Sequence, residues 1–385
     1  MKILHLADLH LGKILQEQSL LEDQEYMLKE IIKIIKEEKV ETILIAGDVY
    51  DRSVPPAEAV SLLDDFLKIL IKELKIKVFI IAGNHDSKDR LGFGSRIFED
   101  EGLYIESKYT GNLRKVELQD EYGKINVYML PFVKPVEVKQ FFKDDLENNY
   151  NTAINKIIEK EQINTKERNI IMVHQFITAG TRLPERTESE VLSLGGIENV
   201  DVSNFNNFDY VAIGHVHRPQ QIGRDTARYA GTMLKYSFSE INHHKTVPII
   251  DVKEKGNINI ELIPLNPVHD IRELKGPIEE LLKKENYETG NINDYIKAVI
   301  TNEEPVYDAI GQLRRIFPNT LKLEIRNSKT ARNAEEQTLN LENIKKKSEL
   351  ELFCDFYKAQ NNVDLNNDQL EIIKNIISEV KHETN

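Results

Sequence analysis

The first ten residues, Met1-Lys2-Ile3-Leu4-His5-Leu6-Ala7-Asp8-Leu9-His10, carry a short apolar run that stops on an Asp-x-His step. Six residues rich in Ile and Leu suit a buried strand better than a helix, and the polar step then falls in the loop just past the strand. Outward from here the pattern recurs four times. Thr42 to Ala46 runs into Gly47-Asp48, and Val78 to Ala82 into Gly83-Asn84-His85-Asp86. Asn169 to Val173 is followed by His174, and Tyr210 to Ile213 by Gly214-His215-Val216-His217. Helical patterns lie between several of these strands, as in Leu20 to Glu38 with Leu28, Ile31, Ile32 and Ile35 on one face. Pro55-Pro56 opens a second helix toward Leu74. The alternation predicts an α/β layered domain. The closely spaced strands Val247 to Val252 and Ile258 to Ile263 add an antiparallel hairpin, so the sheet is expected to be mixed.

In an open α/β sheet the carboxyl ends of the strands line a common crevice, which lets five such loops meet. The residues gathered are Asp8, His10, Asp48, Asn84, His174, His215 and His217, with His85 beside them. Oxygen and imidazole donors of this kind suit Mn²⁺, Fe²⁺ or Zn²⁺ and suit Ca²⁺ poorly. Seven ligands exceed the needs of one ion. They fit two ions about 3.5–4 Å apart, with the two oxygens of Asp48 available to bridge them.

The rest of the chain narrows the class. With 385 residues, 40% of them hydrophobic and 30% charged, two or three soluble domains are expected. No apolar run reaches the roughly 18 residues of a membrane span. Asp8 and His10 interrupt the amino-terminal run before a signal-peptide core is complete, so secretion is not expected. A single cysteine, Cys354, excludes an internal disulfide framework and fits a cytoplasmic location. Two prolines in Pro264-Leu265-Asn266-Pro267 mark a break. Beyond it the pattern reads strand from Ile271, helix Pro277 to Lys284, strand Tyr295 to Thr301, helix Pro305 to Arg315 and strand Leu321 to Ile325. A polar linker at 329–343 and two amphipathic helices within 344–382 close the chain.

The net charge of −13 speaks against a phosphate-binding surface. Locally the sign reverses. Arg314, Arg315, Lys322, Arg326, Lys329 and Arg332 face one acid, Glu324, a net of +5. This strip either guides a nucleic-acid backbone or is a solvated face of mixed role. Arg52 and Arg90 likewise either meet substrate phosphates or pair with nearby carboxylates.

Asp8-x-His10, Gly47-Asp48, Gly83-Asn84-His85-Asp86, His174 and Gly214-His215-x-His217 resemble the motifs of the calcineurin-type metallophosphoesterase superfamily. Ala7 to Gly12, Ala46 to Asp51, Asn84 to Ser87 with Arg90-Leu91, and Tyr236 to Glu240 are most similar to its bacterial SbcD family of nuclease subunits. The resemblance is dense over residues 1–265 and looser beyond Pro267. It implies a mixed β-sandwich flanked by helices (1–265), a small α+β capping domain (268–328) and a C-terminal helix pair. It assigns one ion to Asp8, His10, Asp48 and His217, the other to Asp48, Asn84, His174 and His215, with Mn²⁺ as the working metal and His85 as the catalytic residue. It further implies DNA as substrate, as a 3′ to 5′ double-strand exonuclease and a single-strand or hairpin endonuclease. An SMC-like ATPase of the SbcC type would dock on the C-terminal helices, and the nuclease would form a homodimer. No Gly-x4-Gly-Lys-Ser/Thr stretch occurs, so ATP dependence would come from that partner. In one respect the chain departs from archaeal and eukaryotic relatives: Asp51-Arg52 stands where they carry a second catalytic His, as in bacterial members. Phosphoester hydrolysis of nucleotides, cyclic nucleotides or phosphoproteins is the alternative activity.

Overall fold

The computed structural model describes residues 1–142, 149–187, 198–288, 290–328, 330, 348–361 and 363–383. It divides into two compact units. The first holds Met1–Glu273, Gly290–Lys297 and Phe317–Lys322; the second holds Leu274–Thr289, Ala298–Ile316 and Leu323–Asn385.

In the first unit twelve strands build two six-stranded sheets. They are β1 (Lys2–Leu6), β2 (Thr42–Ala46), β3 (Lys77–Ile81), β4 (Leu103–Glu106), β5 (Arg114–Asp120), β6 (Gly123–Leu130), β7 (Arg168–His174), β8 (Tyr210–Gly214), β9 (Gln220–Ile222), β10 (Arg224–Tyr229), β11 (Thr246–Val252) and β12 (Ile258–Pro264). One sheet runs β12-β11-β1-β2-β3-β4, the other β9-β10-β8-β7-β6-β5. Both are mixed. The first is parallel from β1 to β4 and antiparallel at β1/β11 and β11/β12; the second is parallel through β6, β7, β8 and β10 with antiparallel edges.

Side-chain alternation along each strand sorts the core into layers. Ile3, Leu44, Phe79 and Ile81 of one sheet pack with Ile125, Val127, Met129, Ile170, Met172 and Ala212 of the other. Their neighbours Leu4, Ile43, Ile45, Val78 and Ile80 face outward onto α1 (Leu21–Glu38) and α2 (Ala57–Lys68), where Leu28, Ile31, Ile35, Leu63 and Phe66 are buried. Ile171, Val173, Val211 and Ile213 meet Ile154, Ile157 and Ile158 of α3 (Tyr150–Lys160). The result is a helix/sheet/sheet/helix sandwich, each buried Ile, Leu or Phe contributing about 1.5–3 kcal/mol. The helix expected to run to Leu74 is α-helical only to Lys68, and Ile69–Glu73 finish it as a π-helical turn.

β13 (Ile271–Gly276), β14 (Tyr295–Ile300) and β15 (Thr320–Ile325) form a third sheet in that order. The second unit carries α4 (Ile278–Leu281), α5 (Ala309–Arg314), α6 (Glu349–Asn361) and α7 (Asn367–Glu383). Two helices are shorter than expected. α4 ends at Leu281 rather than Lys284, and α5 starts at Ala309 rather than Pro305 because Asp308 caps it, accepting from the Gly311 amide at 3.2 Å. The linker expected at 329–343, with Lys329 and Arg332, lies outside the described residues except for 330.

Candidate metal centre

The parallel centres of both sheets bring the carboxyl ends of β1, β2, β3, β7 and β8 together, with Leu6 opposite Ile45, Ala46 opposite Ile81, and Gly214 opposite His174. The loops that follow are tightly folded. Asp8, His10, Asp48 and His215 all hold positive φ (52°, 44°, 49° and 98°), a conformation that costs a non-glycine residue about 1–3 kcal/mol. Backbone bonds offset that cost: the amides of Asp8, His10 and Leu11 donate to the carbonyls of Gly47, Asp48 and Val49, each at 3.0 Å. Gln24 of α1 clamps the same loop, donating to the His10 carbonyl at 2.8 Å and accepting from the Gly12 amide at 2.9 Å. Asp86 ties the next two loops, its carboxylate accepting from the amides of Val49, Tyr50 and Gly83. Glycine is required where backbones touch: a Cβ on Gly214 would collide with the Ala46 carbonyl oxygen, and one on Gly47, at φ 87°, with the His174 ring.

Within this frame Asp8, His10 and His217 present donor atoms within 4.8 Å of one another, and so do Asp8, Asp48 and His174. The two groups share Asp8. Asp48 also reaches both sides, with Oδ2 3.3 Å from His174 Nε2 and 3.8 Å from His10 Nε2, while Oδ1 accepts from the His85 amide at 2.8 Å. Asn84 Oδ1 lies 3.1 Å from His174 Nε2 and 2.9 Å from His215 Nδ1. The ring of His174 is set by its Nδ1, which donates to the Ala46 carbonyl at 2.8 Å and turns Nε2 toward Asp48 and Asn84. All seven expected donors therefore meet in one crevice.

Burial dominates the electrostatics. It pushes Asp8 up to about 7, with Asp48 adding to the rise, and holds His10 well below the ordinary imidazole range. His215 is lowered to about 3, first by burial and then by the charge of His174. At His174 burial is outweighed by Asp48, which raises the imidazole to about 9 while Asp48 is held low. Two carboxylates facing each other in a dry crevice call for cations, and neither ring nitrogen of fully buried His10 has a hydrogen-bond partner among the described residues. These residues fit divalent metal.

His85 stands at the exposed edge, Nδ1 2.9 Å from the Asp51 carbonyl, its ring 5.0 Å from that of His10. Asp51, at the position of departure, pairs with Lys13 at 2.8 Å and lies 3.7 Å from His10 Nδ1. Arg52 is exposed beside Gly12, Val54 and Pro55, and exposed Arg90 borders an apolar hollow with Tyr50, Phe93 and Phe98. In the second unit Arg314 and Arg315 close α5 and Arg326 follows β15, paired with Glu324 at 3.0 Å; Lys322 lies on β15 in the first.

Several neighbours of the site have no signal in residue spacing. Phe132 stacks on His215 (centroids 6.5 Å, 17°), Phe176 meets the same ring edge-on, and Arg186 lies over Phe176. Buried Glu240 contacts His217 Nδ1 at 3.1 Å and is itself held low, burial being outweighed by Lys245. Only the Tyr236 to Glu240 motif hinted at that residue.

Buried carboxylates and imidazoles at the strand ends of a two-sheet sandwich define a metal-dependent phosphoesterase. Residues 1–219 match the model of the calcineurin-like phosphoesterase family, and residues 267–361 match that of the type 5 capsule protein repressor C-terminal domain. The SbcD subunit of nuclease SbcCD from Staphylococcus epidermidis is 35% identical over 381 residues, covering 98% of each chain. The protein of the same name from Staphylococcus saprophyticus is 36% identical over 84% of each. Among solved structures, a dimetal phosphatase from Danio rerio is similar at a TM-score of 0.36 and 11% identity, over 69% of this chain and 99% of that one. The chain belongs to the SbcD family of calcineurin-like phosphoesterases.

Proposed function

We propose that this chain is the Mn²⁺-dependent DNA nuclease subunit of an ATP-dependent repair complex with an SbcC-type ATPase, working in the cytoplasm at the nucleoid. It would act as a 3′ to 5′ double-strand exonuclease and a single-strand or hairpin endonuclease. The observation that carries the reading is the convergence of seven metal donors with His85 at their open edge. The end-to-end similarity to nuclease subunits favours DNA over nucleotides or phosphoproteins.

In this reading Asp8, His10, Asp48 and His217 hold one ion, and Asp48, Asn84, His174 and His215 the other. Bound divalent ions supply charge neutralisation at phosphate oxygens and acidify water. The protein's own groups do the rest. The Asp48 carboxylate fixes the His85 backbone, and the Asp51 carbonyl keeps a proton on Nδ1, so Nε2 is the nitrogen that exchanges a proton with the leaving sugar oxygen. Phe132 stacks on the half-buried His215 ring and Phe176 meets it edge-on, which orients the imidazole. Arg52 and Arg90 meet the DNA backbone near the crevice, with Arg314, Arg315, Lys322 and Arg326 of the 268–328 module guiding it. Helices within 344–382 dock the ATPase by their apolar faces, where Phe356 and Ile376 are exposed. Homodimerisation uses the helix that starts after Pro56, where Val60 is exposed.

His85→Ala tests the assignment. A 3′-labelled duplex and a hairpin are assayed with Mn²⁺, ATP and the coexpressed ATPase. The variant is expected to bind metal and DNA normally while cleavage falls by roughly 10²–10⁴. Near-normal cleavage would end the catalytic role of His85.

A further inference from the structure

His217 is braced at both its ring and its main chain. Glu240 Oε1 sits 3.1 Å from Nδ1, which fixes a proton on that nitrogen and leaves the lone pair on Nε2. Glu240 is fully buried, and a lone carboxylate there would be costly. Lys245, 7% exposed, answers it: its Nζ reaches Glu240 Oε2 at 2.7 Å, Thr232 Oγ1 at 2.6 Å and the backbone carbonyl of His217 at 2.9 Å. The Thr232 amide also donates to that carbonyl, at 3.1 Å. Ring and main chain of His217 are thus held by one internally neutral Glu–Lys pair.

We propose that Glu240 and Lys245 are positioning residues for the metal centre, Glu240 fixing the orientation and tautomer of His217 and Lys245 holding both the Glu240 carboxylate and the His217 main chain in place. A pair that served folding alone would have no reason to place its carboxylate on the back nitrogen of a donor imidazole. Carboxylates behind metal-binding histidines raise ligand basicity, and their loss weakens metal affinity by roughly 10- to 100-fold.

The proposal rests on His217 being a metal ligand, so the test separates the two. Mn²⁺ binding to the metal-free full-length protein is followed by calorimetry and by electron paramagnetic resonance, with melting temperature as the measure of folding. Two variants keep the buried charge balanced: Glu240→Asp shortens the carboxylate, and the double variant Glu240→Gln/Lys245→Met makes both partners neutral. Each is expected to melt near the parent in the metal-free state yet to bind one Mn²⁺ roughly 10- to 100-fold more weakly, with His217→Ala setting the floor. Parent-like affinity in the folded variants, alongside weakened binding in His217→Ala, overturns the positioning role alone. Parent-like binding by His217→Ala overturns the ligand reading beneath it.

Discussion

On the floor of the crevice Asp8, His10, Asp48, His174 and His217 are buried and held by backbone bonds and buried partners; on its rim Asn84 and His85 are exposed, as are Arg52 and Arg90 further along the same stretches of chain. The same loops supply both. Asp48 and Arg52 are four residues apart, and Asn84 follows Gly83, whose own amide is tied to Asp86. What separates them is water. Floor groups have lost it, so their protonation follows from burial and from one another, as the opposite shifts of Asp48 and His174 record. Rim groups keep it and can exchange it for substrate. Loss of a floor donor should therefore abolish metal binding and activity together, whereas loss of His85, Arg52 or Arg90 should leave metal bound and remove only proton transfer or a phosphate contact.

Asp48→Ala is the largest test of that contrast. Asp48 approaches His10 and His174 with one oxygen and holds the His85 amide with the other, so its loss removes a donor to both proposed ions and loosens the rim loop. Nuclease activity should fall by at least about a thousandfold, the equivalent of a few kcal/mol of lost charge stabilisation, and Mn²⁺ should no longer raise the melting temperature. A graded, few-fold loss would erase the distinction between floor and rim.

A smaller effect separates burial from partnership. His5 and His174 are both fully buried, but His5 has no carboxylate beside it; burial lowers it to about 3, and Arg228 adds to the shift. Because the folded value lies below the unfolded one, near 6.5, the unfolded chain takes up the proton first. The stabilisation is complete above pH 6.5 and is lost as pH falls toward 3. Between pH 7 and pH 4 this histidine should cost about 3 kcal/mol. Thermal unfolding in excess chelator should then show the parent losing stability over that range more steeply than His5→Leu; parallel curves would mean that burial does not set the protonation of this interior.

The strands that carry the floor were legible because they are buried on both faces: Thr42–Ala46 and Tyr210–Gly214 are uninterrupted apolar runs with polar residues only past their ends. The outer strands were not. Arg114–Asp120, at one edge, reads Arg-Lys-Val-Glu-Leu-Gln-Asp, and Arg224–Tyr229, next to the other edge, has three charged residues in six, since one face of each meets solvent. For that reason the division into two sheets came from resemblance rather than from periodicity. The donors were legible for a related reason, each sitting immediately after a readable strand. Glu240 and Lys245 were not, because they reach His217 across 23 and 28 residues through tertiary folding, and no spacing rule encodes that. Arg186 escaped similarly, being placed near the site only by the ring of Phe176.

The smallest effect belongs to the rim arginines, and it bears on the acidic surface. A chain of net charge −13 repels DNA at long range, so each local cation that meets a phosphate should count separately. Arg52 and Arg90 are exposed, and no ion pair fixes either among the described residues. Neutralising one phosphate contributes close to one unit to the slope of log affinity against log salt. Arg52→Ala and Arg90→Ala should each lower that slope by about 1 for a duplex end, weakening binding only several-fold at low salt and leaving Mn²⁺ affinity untouched. The pair together should lower it by about 2, one unit for each phosphate released. An unchanged slope would take Arg52 and Arg90 out of the DNA contacts, and the same measurement on Lys322→Ala and Arg326→Ala would then test the basic residues of β15 and its end.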